Sequence, residues 1–309
     1  MNIIAIVGGG GFIGTNLSEF LLSHGMKVKA IGSSFFRNFE DENYQQITLD
    51  VNILNELLDS LRDCSTVIWL VNATVPGSNA SLAEEFMLNT QPVIRFLEQS
   101  SRSIQMKKFI YLSSGGTVYG DVAQRIPIPE ETSEYPISTY GLSKLITENY
   151  VDFLTRISGF ESYILRPANV YGPYQNLNKP QGIIGFAFRA VKENGLLDLY
   201  NGGKVIRDFV YVDDLSDAIL KCITQIKHPG AVTKYNVGSG EARSIKEIVD
   251  EISRIAKKPI SLNEKLSRNF DCAYNVLSID KIHRETGWKP TTKLTDGLLK
   301  VEQWINRID

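Results

Sequence analysis

A continuous apolar run, Ile3–Val7, passes directly into Gly8-Gly9-Gly10-Gly11-Phe12-Ile13-Gly14. An unbroken apolar strand of this length is the kind buried on both faces, as in a parallel sheet covered by helices. The glycines that follow have separate tasks. Gly8 permits a tight turn, Gly11 lets the backbone approach a pyrophosphate, and Gly14 lets the next helix pack closely on the strand. A helix is expected over residues 15–23, ended by His24-Gly25. Its N-terminus, with Phe12 and Ile13 in the turn, offers N–H groups and a partial positive charge to an anion. Strand, glycine turn and helix in this order form the dinucleotide-binding fingerprint.

The same alternation continues. Residues 28–31, 46–49, 66–70, 109–112 and 162–165 read as further strands, with helical patterns between most of them. This predicts an α/β fold, a Rossmann doubly wound parallel sheet with helices on both faces. A dinucleotide-binding domain is expected over residues 1–166. After Arg166-Pro167 the texture shifts to loops rich in Asn, Gly and Pro, then a helix near 183–194. Residues 167–309 are therefore read mainly as a smaller α/β substrate-binding portion. Segments near 205–240, such as 209–212 and 235–237, are expected to return to the main sheet.

Bulk properties narrow the function classes. A net charge of −2 over 309 residues gives no global reason to expect nucleic acid or an anionic membrane as partner. No apolar run is long enough to span a bilayer, and the start lacks the basic region of a signal peptide. Cys64, Cys222 and Cys272 fit neither a disulfide framework nor a zinc pattern. The expectation is a cytoplasmic protein with reduced thiols and no metal.

An acid at the end of the second strand is the usual partner of an NAD ribose 2′-hydroxyl. Here that place falls on Gly32, followed by Ser33, Ser34 and Arg37. Two hydroxyls and a guanidinium suit a 2′-phosphate, so NADP(H) is preferred, with NAD(H) the alternative. Asp50-Val51, after the third strand, would place a carboxylate near the adenine amino group.

The segment Tyr140-Gly141-Leu142-Ser143-Lys144 contains Tyr-x-x-x-Lys. On a helix, positions four apart share a face. A tyrosine ordinarily titrates near about 10. A neighbouring ammonium and a cationic nicotinamide both favour the phenolate, which makes Tyr140 usable as an acid or base near neutrality. Lys144 would also reach the cofactor ribose. Upstream, Ser113-Ser114-Gly115-Gly116-Thr117-Val118-Tyr119-Gly120 carries hydroxyls at the carboxyl edge of the sheet, where open α/β folds bind ligands.

Taken in order, these motifs resemble the extended short-chain dehydrogenase/reductase family, in its sugar epimerase/dehydratase branch. The motifs are Gly-x-x-Gly-Phe-Ile-Gly at 8–14, Ser-Ser…Val-Tyr-Gly at 113–120, Tyr-x-x-x-Lys at 140–144, Leu-Arg-Pro-Ala-Asn-Val-Tyr-Gly-Pro at 165–173 and Arg-Asp-Phe-Val-Tyr-Val-Asp-Asp at 207–214. Gly287-Trp288-Lys289-Pro290 is similar too. The resemblance implies a nucleotide diphosphate sugar as partner, with Asn169, Arg207 and Arg268 on its phosphates. It also implies a homodimer through a four-helix interface, which the amphipathic patterns at 84–99 and 139–154 would suit; packing on the sheet would suit them equally.

Two departures bear on the reaction. The family's catalytic hydroxyl lies four residues before the Tyr of Val-Tyr-Gly, where this chain has Gly115; Ser114 is the preferred substitute and Thr117 the other. The Asp-Glu pair of the sugar 4,6-dehydratases is replaced by Gly116-Thr117, which argues against dehydration. Two reactions remain. The main expectation is NADP(H)-dependent reduction of the C4 ketone of a nucleotide-activated 4-keto-6-deoxysugar, in deoxysugar or polysaccharide precursor synthesis. The alternative is an NAD-dependent 4-epimerase. A non-catalytic dinucleotide-binding protein is the reading of another class; such relatives often lack the Tyr or the Lys, and both are present here.

Overall fold

Alternation along β1 (Ile3–Val7) decides the architecture. Ile4 and Ile6 enter one apolar cluster with Leu17 and Leu21, while Ala5 and Val7 enter another with Leu57 and Phe96. A strand with apolar partners on both faces must be central. In this computed structural model, which describes residues 2–308 except 79, 178–181, 226–229 and 267–271, it is.

The first part of the chain runs β1, α1 (Phe12–Ser23), β2 (Lys27–Gly32), β3 (Tyr44–Thr48), α2 (Leu54–Ser60), β4 (Cys64–Trp69), α3 (Leu82–Glu85), α4 (Gln91–Ser103), β5 (Lys108–Leu112), α5 (Thr139–Ser158) and β6 (Glu161–Pro167). A π-helical turn, Phe86–Thr90, joins α3 to α4. The remainder runs β7 (Asn169–Tyr171), α6 (Gly182–Glu193), β8 (Leu196–Tyr200), β9 (Ile206–Arg207), β10 (Phe209–Tyr211), α7 (Val212–Thr224), β11 (Val232–Val237), β12 (Arg243–Ser244), α8 (Ile245–Ile255), β13 (Ser261–Lys265), β14 (Tyr274–Asn275), α9 (Asp280–Thr286) and α10 (Leu294–Ile308).

Seven strands form one parallel sheet in the order β11-β6-β5-β4-β1-β2-β3. The order reverses between β1 and β4, and ligands of open α/β sheets bind in the crevice at such a point. Of the two later segments expected to rejoin this sheet, Val232–Val237 pairs with β6. Phe209–Tyr211 pairs instead with β7, in a separate two-stranded sheet. A third apolar cluster, built from α6, α8, α10 and the short strands, forms the core of the smaller portion. Helix α1 starts at Phe12, earlier than the pattern suggested, because Gly11 is its N-cap and Gly14 sits inside its first turn. Among the described residues no helix is long and apolar enough to cross a membrane.

Candidate active site

The glycine turn lies at the switch point. Gly8 has φ +95°, a conformation costly for any residue with a Cβ. A Cβ on Gly14 would lie 2.4 Å from the Gly8 carbonyl oxygen, so α1 rests directly on the turn. Gly11 differs: a Cβ there would meet nothing nearer than Gly8 O, at 3.5 Å. Protein packing does not require its bareness, and an external group has room to approach. No side chain caps α1, and no acid lies in its first turn. Open space at Gly11 with uncapped N–H groups beside it fits a dinucleotide pyrophosphate.

The adenosine side follows less closely what the sequence suggested. Gly32 ends β2, and Ser33 and Ser34 are exposed beside it. Arg37 does not stand free for a 2′-phosphate. Its Nη1 donates to Glu19 Oε1 at 2.8 Å and to the Tyr174 hydroxyl at 3.1 Å, and its guanidinium lies over the Phe39 ring. Glu19 is on α1, so sequence distance concealed the pairing. Asp50 Oδ1 accepts from the backbone and side-chain amides of Asn52, both at 2.9 Å, and Val51 packs at the margin of the core.

Helix α5 begins at Ser138, whose hydroxyl accepts the Gly141 N–H at 3.1 Å. This cap fixes the first turn, which holds Tyr140, and puts Lys144 one turn on. A Cβ at Gly141 would lie 2.6 Å from the Thr117 carbonyl oxygen, so the loop after β5 is pressed against the start of α5. Lys144 is buried. Its Nζ donates to the Leu112 carbonyl at 2.9 Å and lies 5.0 Å from the Tyr111 ring centroid and 5.8 Å from that of Tyr140. Burial pushes the Lys144 ammonium down to about 8, against the opposing pull of Glu148 and Glu85. Burial pushes the Tyr140 phenol above its ordinary value, and the charge of Glu85 adds to that shift.

The hydroxyls divide by role. Ser113 Oγ donates to buried Glu148 Oε1 at 2.5 Å and serves the scaffold. Ser114 is half-buried, and its carbonyl accepts the N–H groups of Thr117 and Val118. Thr117 Oγ1 is buried with no hydrogen-bond partner, beside the start of α5. Gly115 explains the departure from the family pattern. A Cβ there would lie 2.5 Å from Leu277 Cδ1 and 2.8 Å from the Arg166 carbonyl, so no side chain fits at that position.

On the substrate side, Asn169 Nδ2 donates to the Asp208 carbonyl at 2.9 Å, joining β7 to β10. Arg207 Nη1 donates to the carbonyls of Ile206 and Cys272, at 2.9 and 2.7 Å. Arg268 lies outside the described residues.

The sequence reading missed two groups of residues. Glu148, one turn beyond Lys144, forms a buried pair with Arg166. Glu85, Asn89 and Thr74 form a hydrogen-bonded set whose charge reaches Tyr140 and Lys144. A signal existed for the second: Glu85 and Asn89 are polar positions one turn apart in an otherwise amphipathic stretch, and both are buried.

A doubly wound sheet with a glycine turn at its switch point, and a Tyr–Lys pair at the head of the following long helix, define an extended short-chain dehydrogenase/reductase, an NAD(P)-dependent enzyme of nucleotide sugars. The chain belongs to the NAD dependent epimerase/dehydratase family, whose model matches residues 4–238. It is 29% identical over 308 residues to a putative UDP-glucose 4-epimerase of Methanocaldococcus jannaschii, covering 98% of each chain. It is 27% identical over 314 residues to the dTDP-4-dehydro-6-deoxyglucose reductase of Escherichia coli, covering 97% of this chain and 96% of that one. The structure of Thermotoga maritima UDP-glucose 4-epimerase with UDP-glucose superposes with a TM-score of 0.86 at 26% identity, covering 100% of this chain and 99% of that one. MoeE5 in complex with UDP-glucuronic acid and NAD superposes at 0.88 with 25% identity, covering 100% of both.

Proposed function

We propose that this chain is an NAD-dependent 4-epimerase of a nucleotide diphosphate sugar, acting as a homodimer. The observation that carries the choice of reaction is the Arg37–Glu19 pair. With its guanidinium engaged by a carboxylate, Arg37 argues less for a 2′-phosphate, which leaves the missing acid at Gly32 and the Ser33 and Ser34 hydroxyls as the ground for an exchangeable NADPH pool. Similarity to 4-epimerases and to an NAD-bound structure points the same way.

The bound dinucleotide supplies the hydride acceptor at C4 and a positive charge beside the phenol. Tyr140 takes the C4 hydroxyl proton as the ketone forms and returns it on reduction from the other face. Lys144 holds the ribose and adds charge that favours the phenolate. Thr117 donates its unpartnered hydroxyl to the C4 oxygen, with Ser114 the other candidate. Gly11, Phe12, Ile13 and Gly14 cradle the pyrophosphate, and Ser33, Ser34, Asp50 and Val51 border the adenosine. Asn169 and Arg207 would hold the substrate diphosphate, and the resemblance adds Arg268, which lies outside the described residues.

A second reading, NADP(H)-dependent reduction of a nucleotide-activated 4-keto-6-deoxysugar, is favoured by the missing acid at Gly32 and by the E. coli reductase. One experiment separates the two. The purified protein is incubated with UDP- and dTDP-hexoses without added cofactor, and separately with NADPH and a 4-keto-6-deoxy nucleotide sugar. C4 interconversion in the first supports the epimerase. Loss of NADPH absorbance in the second, without interconversion in the first, overturns it.

A further inference from the structure

We propose that Asn72 is a ligand of the dinucleotide: its side-chain oxygen accepts a hydrogen bond from a hydroxyl of the ribose on the nicotinamide side. The proposal rests on the reading of the site given above and adds to it a residue that lies in neither the glycine turn nor the Tyr–Lys motif.

Asn72 stands three residues beyond the end of β4. Its Nδ2 donates to the Thr74 carbonyl, which fixes the amide, because the flipped group would set two oxygens against each other. Oδ1 is therefore the free end. It is closed off from water and has no hydrogen-bond partner among the described residues. An asparagine that serves only its own turn accepts a nearby backbone N–H through that oxygen. Here the nitrogen holds the backbone and the oxygen is left over. A buried acceptor without a donor is costly, and nearly all such groups in proteins are paired. The side chain as a whole is half-buried, and Ala73 beside it is exposed. A small turn of the amide brings its oxygen to a donor arriving from outside the chain.

Contacts on both sides of Asn72 say what that donor is. The Leu70 N–H donates to the Val7 carbonyl at 2.8 Å, so β1 and β4 stay paired up to the glycine turn. A Cβ on Gly8 would lie 3.0 Å from the Val71 nitrogen. Asn72 follows directly, at the point where the strand order reverses between β1 and β4. On its other side, the Ala73 N–H donates to Asn89 Oδ1 at 2.7 Å, and Asn89 Nδ2 donates to Thr74 Oγ1 at 2.8 Å. The hydroxyl of Thr90, next to Asn89, lies 3.1 Å from that of Ser143 and 2.8 Å from that of Thr147, both on α5. Ser143 is the neighbour of Lys144.

Asn72 is thus held between the turn that takes the pyrophosphate and the helix that carries Tyr140 and Lys144. In a dinucleotide the unit between the pyrophosphate and the nicotinamide ring is a ribose, and it must span that interval. The donor count agrees. Lys144 offers hydrogens and no lone pair, so it serves a ribose oxygen but cannot take the hydrogen of a ribose hydroxyl. The orphaned oxygen of Asn72 supplies an acceptor for it.

The test titrates the cofactor-free chain by calorimetry with NAD, ADP-ribose and ADP. All three carry the adenosine and the pyrophosphate, and only the first two carry the second ribose. Asn72→Ala is expected to weaken NAD and ADP-ribose about tenfold and to leave ADP unchanged. Loss of all three by one common factor overturns the proposal, since that marks a disturbed glycine turn. So does no loss at all. A second arm needs no variant to fold. NAD analogues lacking the 2′- or the 3′-hydroxyl of the nicotinamide-side ribose are titrated into wild type, and one of them is expected to bind about tenfold more weakly than NAD. Two analogues that bind as tightly as NAD overturn the proposal. Because affinity is the readout, ribose-dependent binding through Asn72 without interconversion of any sugar sinks the 4-epimerase reading and leaves this one standing.

Discussion

Glu148 and Arg166 form an ion pair with neither side chain exposed, Nη2 to Oε2 at 2.6 Å, and Glu148 lies one helical turn beyond Lys144 on α5. The same carboxylate accepts from Ser113, and Lys234 Nζ stands 3.2 Å away. Arg166 in turn donates to the Tyr119 hydroxyl at 2.9 Å and to Glu134 at 2.6 Å. One carboxylate thereby ties α5 to the ends of β5 and β6 and to β11, so the helix that carries Tyr140 and Lys144 has a fixed register against the sheet. Removing Glu148 leaves buried Arg166 with only the partly exposed Glu134 as ionic partner among the described residues, and breaking a buried pair costs up to about 3–5 kcal/mol. We expect Glu148→Gln to destabilise the protein by about that amount in chemical denaturation. The double change Glu148→Leu with Arg166→Met should cost less than either single change. A double variant as unstable as the sum of the singles would contradict this account.

Lys144 gives a pH-dependent signature. Burial holds its ammonium near 8, below the ordinary 10.5. Between those values the unfolded chain binds a proton that the folded chain has released, so this group makes stability rise with pH across that window. Lys144→Met should remove that slope, and the difference between wild type and variant should change between a pH below 8 and one above 10. Activity should move the other way. The charge on Lys144 is lost above about 8, so kcat/KM, which reports free-enzyme groups, should decline there.

The phenol and the hydroxyl are separable by substitution. Tyr140→Phe removes the proton carrier and should lower kcat by about 10²–10⁴-fold, with NAD affinity unchanged by fluorescence titration. Thr117→Val should lower kcat by about 10–100-fold, the worth of one hydrogen bond to a developing charge, and Thr117→Ser should restore most of it. Ser114→Ala is expected to be mild. A larger loss at Ser114 than at Thr117 would reverse the assignment of the hydroxyl.

The sheet was legible because its signals are local. Ile3–Val7 with the glycine turn fixes the first βα unit, and the later apolar runs fall within three residues of the strands they announce. Tyr140 and Lys144 were legible for the same reason, since helical spacing alone puts them together. What the sequence hid is pairing across long separations. Arg37 looked like a phosphate ligand until Glu19 and Tyr174 closed on it. Gly115 looked like a missing serine until Leu277 and the Arg166 carbonyl filled the space beside it. Phe209–Tyr211 has strand chemistry, but only tertiary context directs it to β7 rather than to the main sheet.

Cofactor preference follows from the Arg37–Glu19 contact. Both side chains are about half exposed, so the pair adds only about 0–1 kcal/mol and its loss should barely move Tm. Its effect on ligand choice is larger. Glu19→Ala frees the guanidinium for a charge-assisted bond to a 2′-phosphate and should tighten NADP binding about tenfold, with NAD affinity little changed. Wild type should prefer NAD in direct titration. A wild-type preference for NADP would restore the reductase reading.

One face of α5 bears on assembly. Tyr150, Phe153 and Ile157 are exposed along a single helical stripe, and Phe86, Met87 and Leu88 are exposed on the π-helical turn. Contact between the two elements follows from the packing of α5 against that turn and α4. Exposed apolar patches of this kind mark interfaces, and a two-fold axis along α5 would cover them with their own copies. We expect light scattering to give the mass of a dimer for wild type at micromolar concentration. Phe153→Glu combined with Ile157→Glu should give a monomer that retains NAD, because neither residue lies at the cofactor turn. A wild-type monomer, or a double variant that stays dimeric, would move the interface elsewhere.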